Sequence, residues 1–160
     1  MKVDQKGFSL IESLLVMACL AILLGLATLN LSNIKHRVSI TEMVDTFLAD
    51  LKGQQLKAMV GDTEGRTTTD NYGIHFESTT YTLFHGTTYS ATDAANFKTD
   101  LTDTNQITTI FPGSQILFLK GSGEVSGYVS SSATITLRDT TNNYQKVITV
   151  NRYGVVTGIN

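Results

Sequence analysis

Histidine and acidic side chains are the residues of this chain that could act in catalysis or bind a metal. The three histidines are His36, His75 and His85. His36 follows a long apolar stretch, and the other two belong to one predicted hairpin, in which His75 is expected opposite Thr82 rather than opposite His85. Two histidines without a neighbouring acid or cysteine are a poor metal site. No nucleophile elbow, phosphate loop or zinc-protease motif occurs in the sequence. We therefore expect no catalytic, cofactor-binding or metal-binding residues.

One group of oxygen-bearing side chains has the chemistry that calcium prefers. Asp100, Asp103, Thr104 and Asn105 lie close together in the sequence and offer hard oxygen ligands. Their spacing does not match a calcium loop, so we interpret them as a solvated loop.

The composition narrows the classes of protein that remain. The chain has 160 residues, a net charge of −2 and only 16% charged residues, well below the usual quarter. A general attraction to nucleic acid or to anionic lipid is therefore not indicated. Cys19 is the only cysteine, which excludes an internal disulfide and a multi-cysteine metal site.

An acidic residue stands near the start of a long apolar stretch. Glu12 is the only charged residue between positions 8 and 34, and the segment 13–34 has 22 uncharged residues. As a helix that segment would rise about 33 Å, enough to cross a hydrocarbon core of roughly 30 Å. An acid inside a membrane is costly unless it is paired, so Glu12 is a candidate functional residue.

Three ordinary explanations of this N-terminus each leave a feature unexplained. A secretory signal peptide cut after Ala27 would carry Glu12 at the edge of its apolar core, and the apolar run continues past the cut. A lipoprotein signal ending at Cys19 would have Met17 where a small residue is expected, and too short an apolar core. A plain membrane anchor does not explain the Gly7–Phe8 junction.

The sequence Lys6-Gly7-Phe8-Ser9-Leu10-Ile11-Glu12 resembles the processing site of type IV pilins and pseudopilins. The resemblance implies that residues 1–7 are a leader peptide and that a prepilin peptidase cuts between Gly7 and Phe8. The same membrane enzyme would methylate the new amino group of Phe8. Glu12 would become the fifth residue of the mature chain and pair with the Phe8 amine of a neighbouring subunit during assembly.

Helical periodicity continues beyond the apolar stretch but becomes one-sided. Apolar residues recur every three or four positions, which predicts a face that packs against a sheet: Ile40, Met43, Val44, Phe47, Leu48 and Leu51. One helix from Phe8 to about Val60 is therefore expected, apolar all round over 8–34 and amphipathic over 35–60. Two helices with a bend near Asn30 or Asn33 are the alternative. Gly61 and Asp62 are the expected stop.

The remaining residues, 61–160, read as a β-rich head. Residues 72–77 and 81–85 alternate in polarity around a turn at Ser78-Thr79, which predicts a hairpin. A short helix is expected between Ala91 and Leu101. Further strands are predicted at 107–111, 115–119, 124–129, 134–138, 144–150 and about 155–158, with a second hairpin turn over 139–143. The fold class is α+β: a long N-terminal helix, hydrophobic and then amphipathic, packed on a C-terminal antiparallel β-rich head.

The head resembles that of the H-type minor pseudopilins of type II secretion and of FimT-like minor pilins. The matching residues are Phe111-Pro112-Gly113, Gly121 to Gly123, Ile135-Thr136-Leu137 and Val150 to Val155. Some FimT-like proteins bind DNA through basic residues near the C-terminus. Here only Lys146 and Arg152 lie in that region, so DNA binding is not supported by charge.

The sequence therefore predicts a non-enzymatic minor pilin or pseudopilin with a pilin-like fold. Expected partners are other pilin subunits, the prepilin peptidase and methylase, the cytoplasmic membrane and an assembly platform protein. The protein is expected to cross the cytoplasmic membrane once, with its head outside, before it enters a pilus or pseudopilus. Lys2 and Lys6 support that orientation, because positively charged residues favour the cytoplasmic side. Lys35 and Arg37, on the other side of the segment, weaken this charge asymmetry. A secreted or membrane-anchored β-rich binding protein, cut after Ala27, is the alternative.

Overall fold

The computed structural model describes residues 10–102 and 104–160, and the side chains of these residues except 26–39. The chain divides into two compact units, Met1–Arg37 and Val38–Asn160. Among the described residues, one long helix is followed by eight strands in two antiparallel sheets, which confirms the α+β class.

The helix, α1, runs from Leu10 to Val60 and has 51 residues. The helical residues continue through Asn30 and Asn33. Within the described part of the chain, no helical stretch is both long enough and apolar enough to cross a membrane. The predicted apolar segment 8–34 extends into residues outside that description.

In the second unit, α1 packs one face into the core. Ile40, Val44, Phe47 and Leu51 are buried, and Met43 and Leu48 are partly buried against them, which confirms the predicted stripe. The ring of Phe47 lies 5.9 Å from that of Phe76 and meets Tyr81 edge to face at 5.5 Å.

The end of α1 agrees with the predicted stop. Gly61 has a φ of 67°, the left-handed conformation that glycine adopts at low cost. The N–H of Asp62 donates to the carbonyl of Lys57 at 3.0 Å, which is the hydrogen bond of a Schellman cap.

The first sheet lies in the order β3-β2-β1-β5, with all neighbours antiparallel. Its strands are β1 (Tyr72–Phe76), β2 (Thr80–His85), β3 (Phe97–Asp100) and β5 (Gln115–Phe118). The turn at residues 78–79 is confirmed, and His75 pairs with Thr82 as predicted.

The second sheet lies in the order β4-β6-β7-β8, again antiparallel. Its strands are β4 (Asn105–Thr109), β6 (Thr134–Asp139), β7 (Gln145–Val150) and β8 (Val156–Ile159). The predicted hairpin after residue 138 is confirmed. Buried side chains of α1 and both sheets form one hydrophobic core.

Two predicted elements are wrong. Residues 91–101 form turns and then β3 instead of a helix. The Asp93 carboxylate accepts from the N–H of Ala95 at 3.0 Å, a local bond that competes with helix formation. Residues 124–129 make only a single bridge, from Val125 to Phe118, because the chain turns at Gly127, where φ is 60°.

Candidate functional site

The N-terminal part of α1 exposes apolar side chains on every side. All residues from Leu10 to Gly25 are exposed. The large apolar ones have exposed fractions from 47% for Val16 to 85% for Leu10. An isolated helix that is apolar all round is stable in a membrane or against other apolar helices, and exposed patches of this kind mark interaction surfaces.

Glu12 lies in the first turn of α1 and is exposed. Gly7 and Phe8, the predicted cleavage and methylation positions, lie outside the described residues.

Of three other N-terminal residues considered in the sequence, Cys19, Ala27 and His36, the structure describes the side chain of Cys19. Cys19 is exposed and is not in a disulfide. The side chains of Ala27 and His36 lie outside the description.

A cluster of polar side chains, which we call the polar cluster (Lys57, Glu64, Tyr72 and His85), lies where α1 ends against β1 and β2. Lys57 Nζ donates to Glu64 Oε1 at 2.6 Å, and the other carboxylate oxygen of Glu64 lies 3.8 Å from His85 Nδ1. The His85 and Tyr72 rings stack with their centroids 4.3 Å apart.

Burial and neighbouring acids favour the neutral form of Tyr72. Desolvation is the largest cause, followed by the negative charges of Glu64 and Asp62, and together they raise the pKa of Tyr72 to about 12. The Tyr72 hydroxyl donates to the carbonyl oxygen of Asp62 at 2.9 Å, which fixes the segment after the helix to the sheet.

This cluster was not predicted from the sequence, although the sequence contains part of the signal for it. The hairpin register that pairs His75 with Thr82 also pairs Tyr72 with His85. The contribution of Glu64 could not be predicted from the sequence, because its position depends on the conformation of the loop after α1. In that loop Glu64 adopts a φ of 47°.

The other strand histidine also stacks on an aromatic ring. His75 and Tyr89 have ring centroids 4.1 Å apart. Among the residues that the structure describes, no three histidine, cysteine or acidic side chains form a group that could hold a metal ion.

The loop with calcium-type ligands has local partners. Asp100 lies in β3 and pairs with Lys98 at 3.7 Å. Asn105 is buried and donates to Thr102 Oγ1 at 2.6 Å, and the carbonyl of Thr104 accepts from Thr140. Asp103 lies outside the described residues.

The two basic residues near the C-terminus have different surroundings. Arg152 is 3.5 Å from Glu124, and Lys146 is half-buried in β7.

The glycine-containing turns of the head lie against the end of α1. Gln55 donates to the carbonyls of Gly123 at 3.1 Å and Tyr153 at 2.6 Å. A Cβ at Gly123 would come within 2.9 Å of Met59 Sδ, and one at Gly154 within 2.9 Å of the Phe118 ring. Both glycines also have positive φ, so the close approach and the turn geometry explain these residues.

Residues 2–28 match the family model of the prokaryotic N-terminal methylation motif. That range contains Gly7, Phe8 and Glu12, and the chain therefore carries a type IV pilin-like class III signal at its N-terminus. No curated protein and no solved structure matches the chain.

Proposed function

We propose that this chain, which carries a type IV pilin-like signal, is a minor pilin or pseudopilin of a type IV pilus, a DNA-uptake pilus or a type II secretion pseudopilus. The observation that carries the proposal is the methylation motif at residues 2–28, followed by a helix whose apolar side chains are exposed from Leu10 onward. The role is structural rather than catalytic.

Processing comes first in this proposal. The leader, residues 1–7, is removed between Gly7 and Phe8, and the amino group of Phe8 is methylated. Residues 8–34 hold the subunit in the cytoplasmic membrane, with Lys2 and Lys6 on the cytoplasmic side until cleavage. Residues 35–60 continue the helix into the extracytoplasmic head of residues 61–160.

Assembly then buries the exposed apolar helix surface against neighbouring subunits. Because lipid already surrounds this surface before assembly, close packing between helices rather than transfer from water favours association, whereas a carboxylate at membrane depth is costly. A neighbour's Phe8 amine compensates Glu12 and thereby sets the register between subunits. An assembly platform protein and the prepilin peptidase are the other partners.

The head type is assigned as H-type or FimT-like. Support comes from the turn at Phe111-Pro112-Gly113, where Phe111 is buried and Gly113 has a φ of 67°. Further support comes from Gly123 and Gly154, which let their turns approach α1 closely. The paired Arg152 gives no support to a DNA-binding role.

The assembly role of Glu12 is tested by substitutions that separate charge from shape. Glu12→Gln keeps the size of the side chain but removes the charge, and Glu12→Asp keeps the charge on a shorter side chain. We expect Glu12→Gln to reach the membrane in normal amount but to be lost from sheared filaments or pseudopili, whereas Glu12→Asp retains part of its incorporation. Normal incorporation of Glu12→Gln would contradict the pairing role.

A further inference from the structure

A glutamine occupies a core position of α1. Phe47, Leu51, Gln54 and Ala58 follow one another at intervals of four, three and four residues, so they share one face of the helix. All four are buried, and Gln54 is only 3% exposed. A polar side chain in the middle of an apolar helix face conflicts with packing, and such conflicts are typical of functional sites.

Gln54 lines a cavity of about 370 Å³ in the second unit. Its Oε1 is buried, yet none of the described residues donates a hydrogen bond to it. Buried acceptors without a partner are rare in folded proteins and call for an explanation. The volume lies within the range of pockets that hold small molecules.

The walls of the cavity combine a neutral polar side with an apolar side. Lys57 and Glu64 line it as an ion pair, so their charges cancel. Behind Glu64, both ring nitrogens of the buried His85 are without a hydrogen-bond partner among the described residues. Leu83, Phe84, Ala95 and Phe97 form the apolar side.

The two loops that border the cavity are tied together. Arg66, from the loop after α1, donates to the Asp93 carboxylate at 2.9 Å. Asp93 also accepts from the N–H of Ala95, and this bond, together with Arg66, lowers the pKa of Asp93. The cavity wall at Ala95 is therefore held in place before any ligand arrives.

We propose that this cavity binds a small uncharged ligand that carries an amide group on a body with an apolar or aromatic face. A glutamine side chain offers one acceptor and two donors, and an amide is the group that complements both. Phe84 and the rim residue Phe97, which is 64% exposed, supply aromatic surface for the body of the ligand. The balanced Lys57–Glu64 pair disfavours a charged ligand.

Two common sources supply this chemistry, an acetamido sugar and an amino-acid amide. The test therefore titrates N-acetylglucosamine and N-acetylphenylalaninamide into the full-length protein in detergent micelles, followed by NMR chemical shifts. Glucose, which lacks the amide, is the control ligand. We expect saturable shifts with at least one amide probe and none with glucose; the probe that binds identifies the source.

Variants distinguish binding at this cavity from binding elsewhere. Gln54→Leu removes the amide and completes the apolar face, so it is expected to fold with an unchanged or higher unfolding midpoint and to bind at least tenfold more weakly. Gln106→Leu, at an exposed position of β4, should bind like the wild type.

Three results would overturn the proposal. One is no saturable response to either amide probe up to about 10 mM, where a ligand with a Kd near 1 mM would be close to saturation. The others are equal binding of glucose and undiminished binding by Gln54→Leu. None of these results bears on filament assembly, because the cavity and the N-terminal segment lie in different units of the chain.

Discussion

Glu12 and Gln54 are polar residues at positions where their helix otherwise carries apolar side chains. Glu12 is exposed in the first turn of α1, and Gln54 is buried near its end. An unsatisfied buried polar atom costs about 1–3 kcal/mol, and a carboxylate placed in a membrane costs more. Both residues oppose simple hydrophobic packing, and each carries one of the two proposals made for this chain: assembly for Glu12 and ligand binding for Gln54.

A single substitution at Gly7 is expected to block removal of the leader peptide. Gly7→Glu places a large charged side chain where the peptidase is expected to accept glycine, so the precursor should keep residues 1–7 and accumulate in the membrane. The measurement is the intact mass of the protein from membranes. Ser9→Ala, two residues beyond the bond, is the matched control and should be processed normally. Cleavage of Gly7→Glu at the same bond would contradict the assignment.

Among the elements, α1 has two different packing roles along its length. Residues 10–25 expose apolar side chains, whereas the face that starts at Ile40 is part of the hydrophobic core. The second role can be tested by stability measurements that do not require assembly.

Phe47→Ala should lower the free energy of unfolding by about 3–5 kcal/mol, because a fully buried ring is lost and leaves a cavity. Leu56→Ala, on the exposed face of the same helix, should change it by less than about 0.5 kcal/mol. Urea unfolding of the detergent-solubilised protein gives both values. Equal effects at the two positions would show that the helix face is not packed as described.

The elements that were predictable from sequence are those with a regular pattern. The stripe from Ile40 to Leu51 has helical spacing, and the Tyr72 to His85 hairpin has strand alternation around a short turn. Its register followed directly from the turn at Ser78-Thr79, because an antiparallel pairing is fixed once the turn is known.

Elements whose conformation depends on tertiary contacts were harder to predict from local sequence patterns. Residues 97–100 form β3 because β2 offers an unpaired edge, which no local pattern reveals. Glu64 meets His85 only after the loop folds back. Gln54 was the detectable exception, since its position on the apolar face can be read from the helical period alone.

At the scale of the whole molecule, two buried tyrosines are expected to lower the free energy of unfolding at alkaline pH. The pKa of Tyr72 is raised from 10.0 to about 12, by burial first and then by Glu64 and Asp62. Burial is also the largest cause that raises the pKa of Tyr81, followed by its hydrogen bond to Asp50 at 2.6 Å.

Both pKa values are higher in the folded state than in the unfolded state. The contribution of these two tyrosines to the free energy of unfolding is therefore complete below about pH 10 and is lost as the pH rises further. Above that value the unfolded chain ionises first, which lowers the free energy of unfolding by up to about 1.4 kcal/mol per pH unit for each tyrosine. Unfolding curves between about pH 9 and about pH 11 measure this loss.

Tyr72→Phe and Tyr81→Phe should each show a smaller alkaline loss than the wild type, whereas Tyr153→Phe, at an exposed position, should show the same loss. An identical pH dependence in all four proteins would mean that the buried hydroxyls do not control it.

The central claim, that this is a processed pilin-like subunit, is tested most directly by the intact mass and N-terminal sequence of the protein purified from its native membrane. The account predicts a chain that starts at Phe8 with a methylated amino group. A chain that starts at Thr28, or one lipidated at Cys19, would contradict it and would identify an ordinary exported or lipid-anchored β-rich protein.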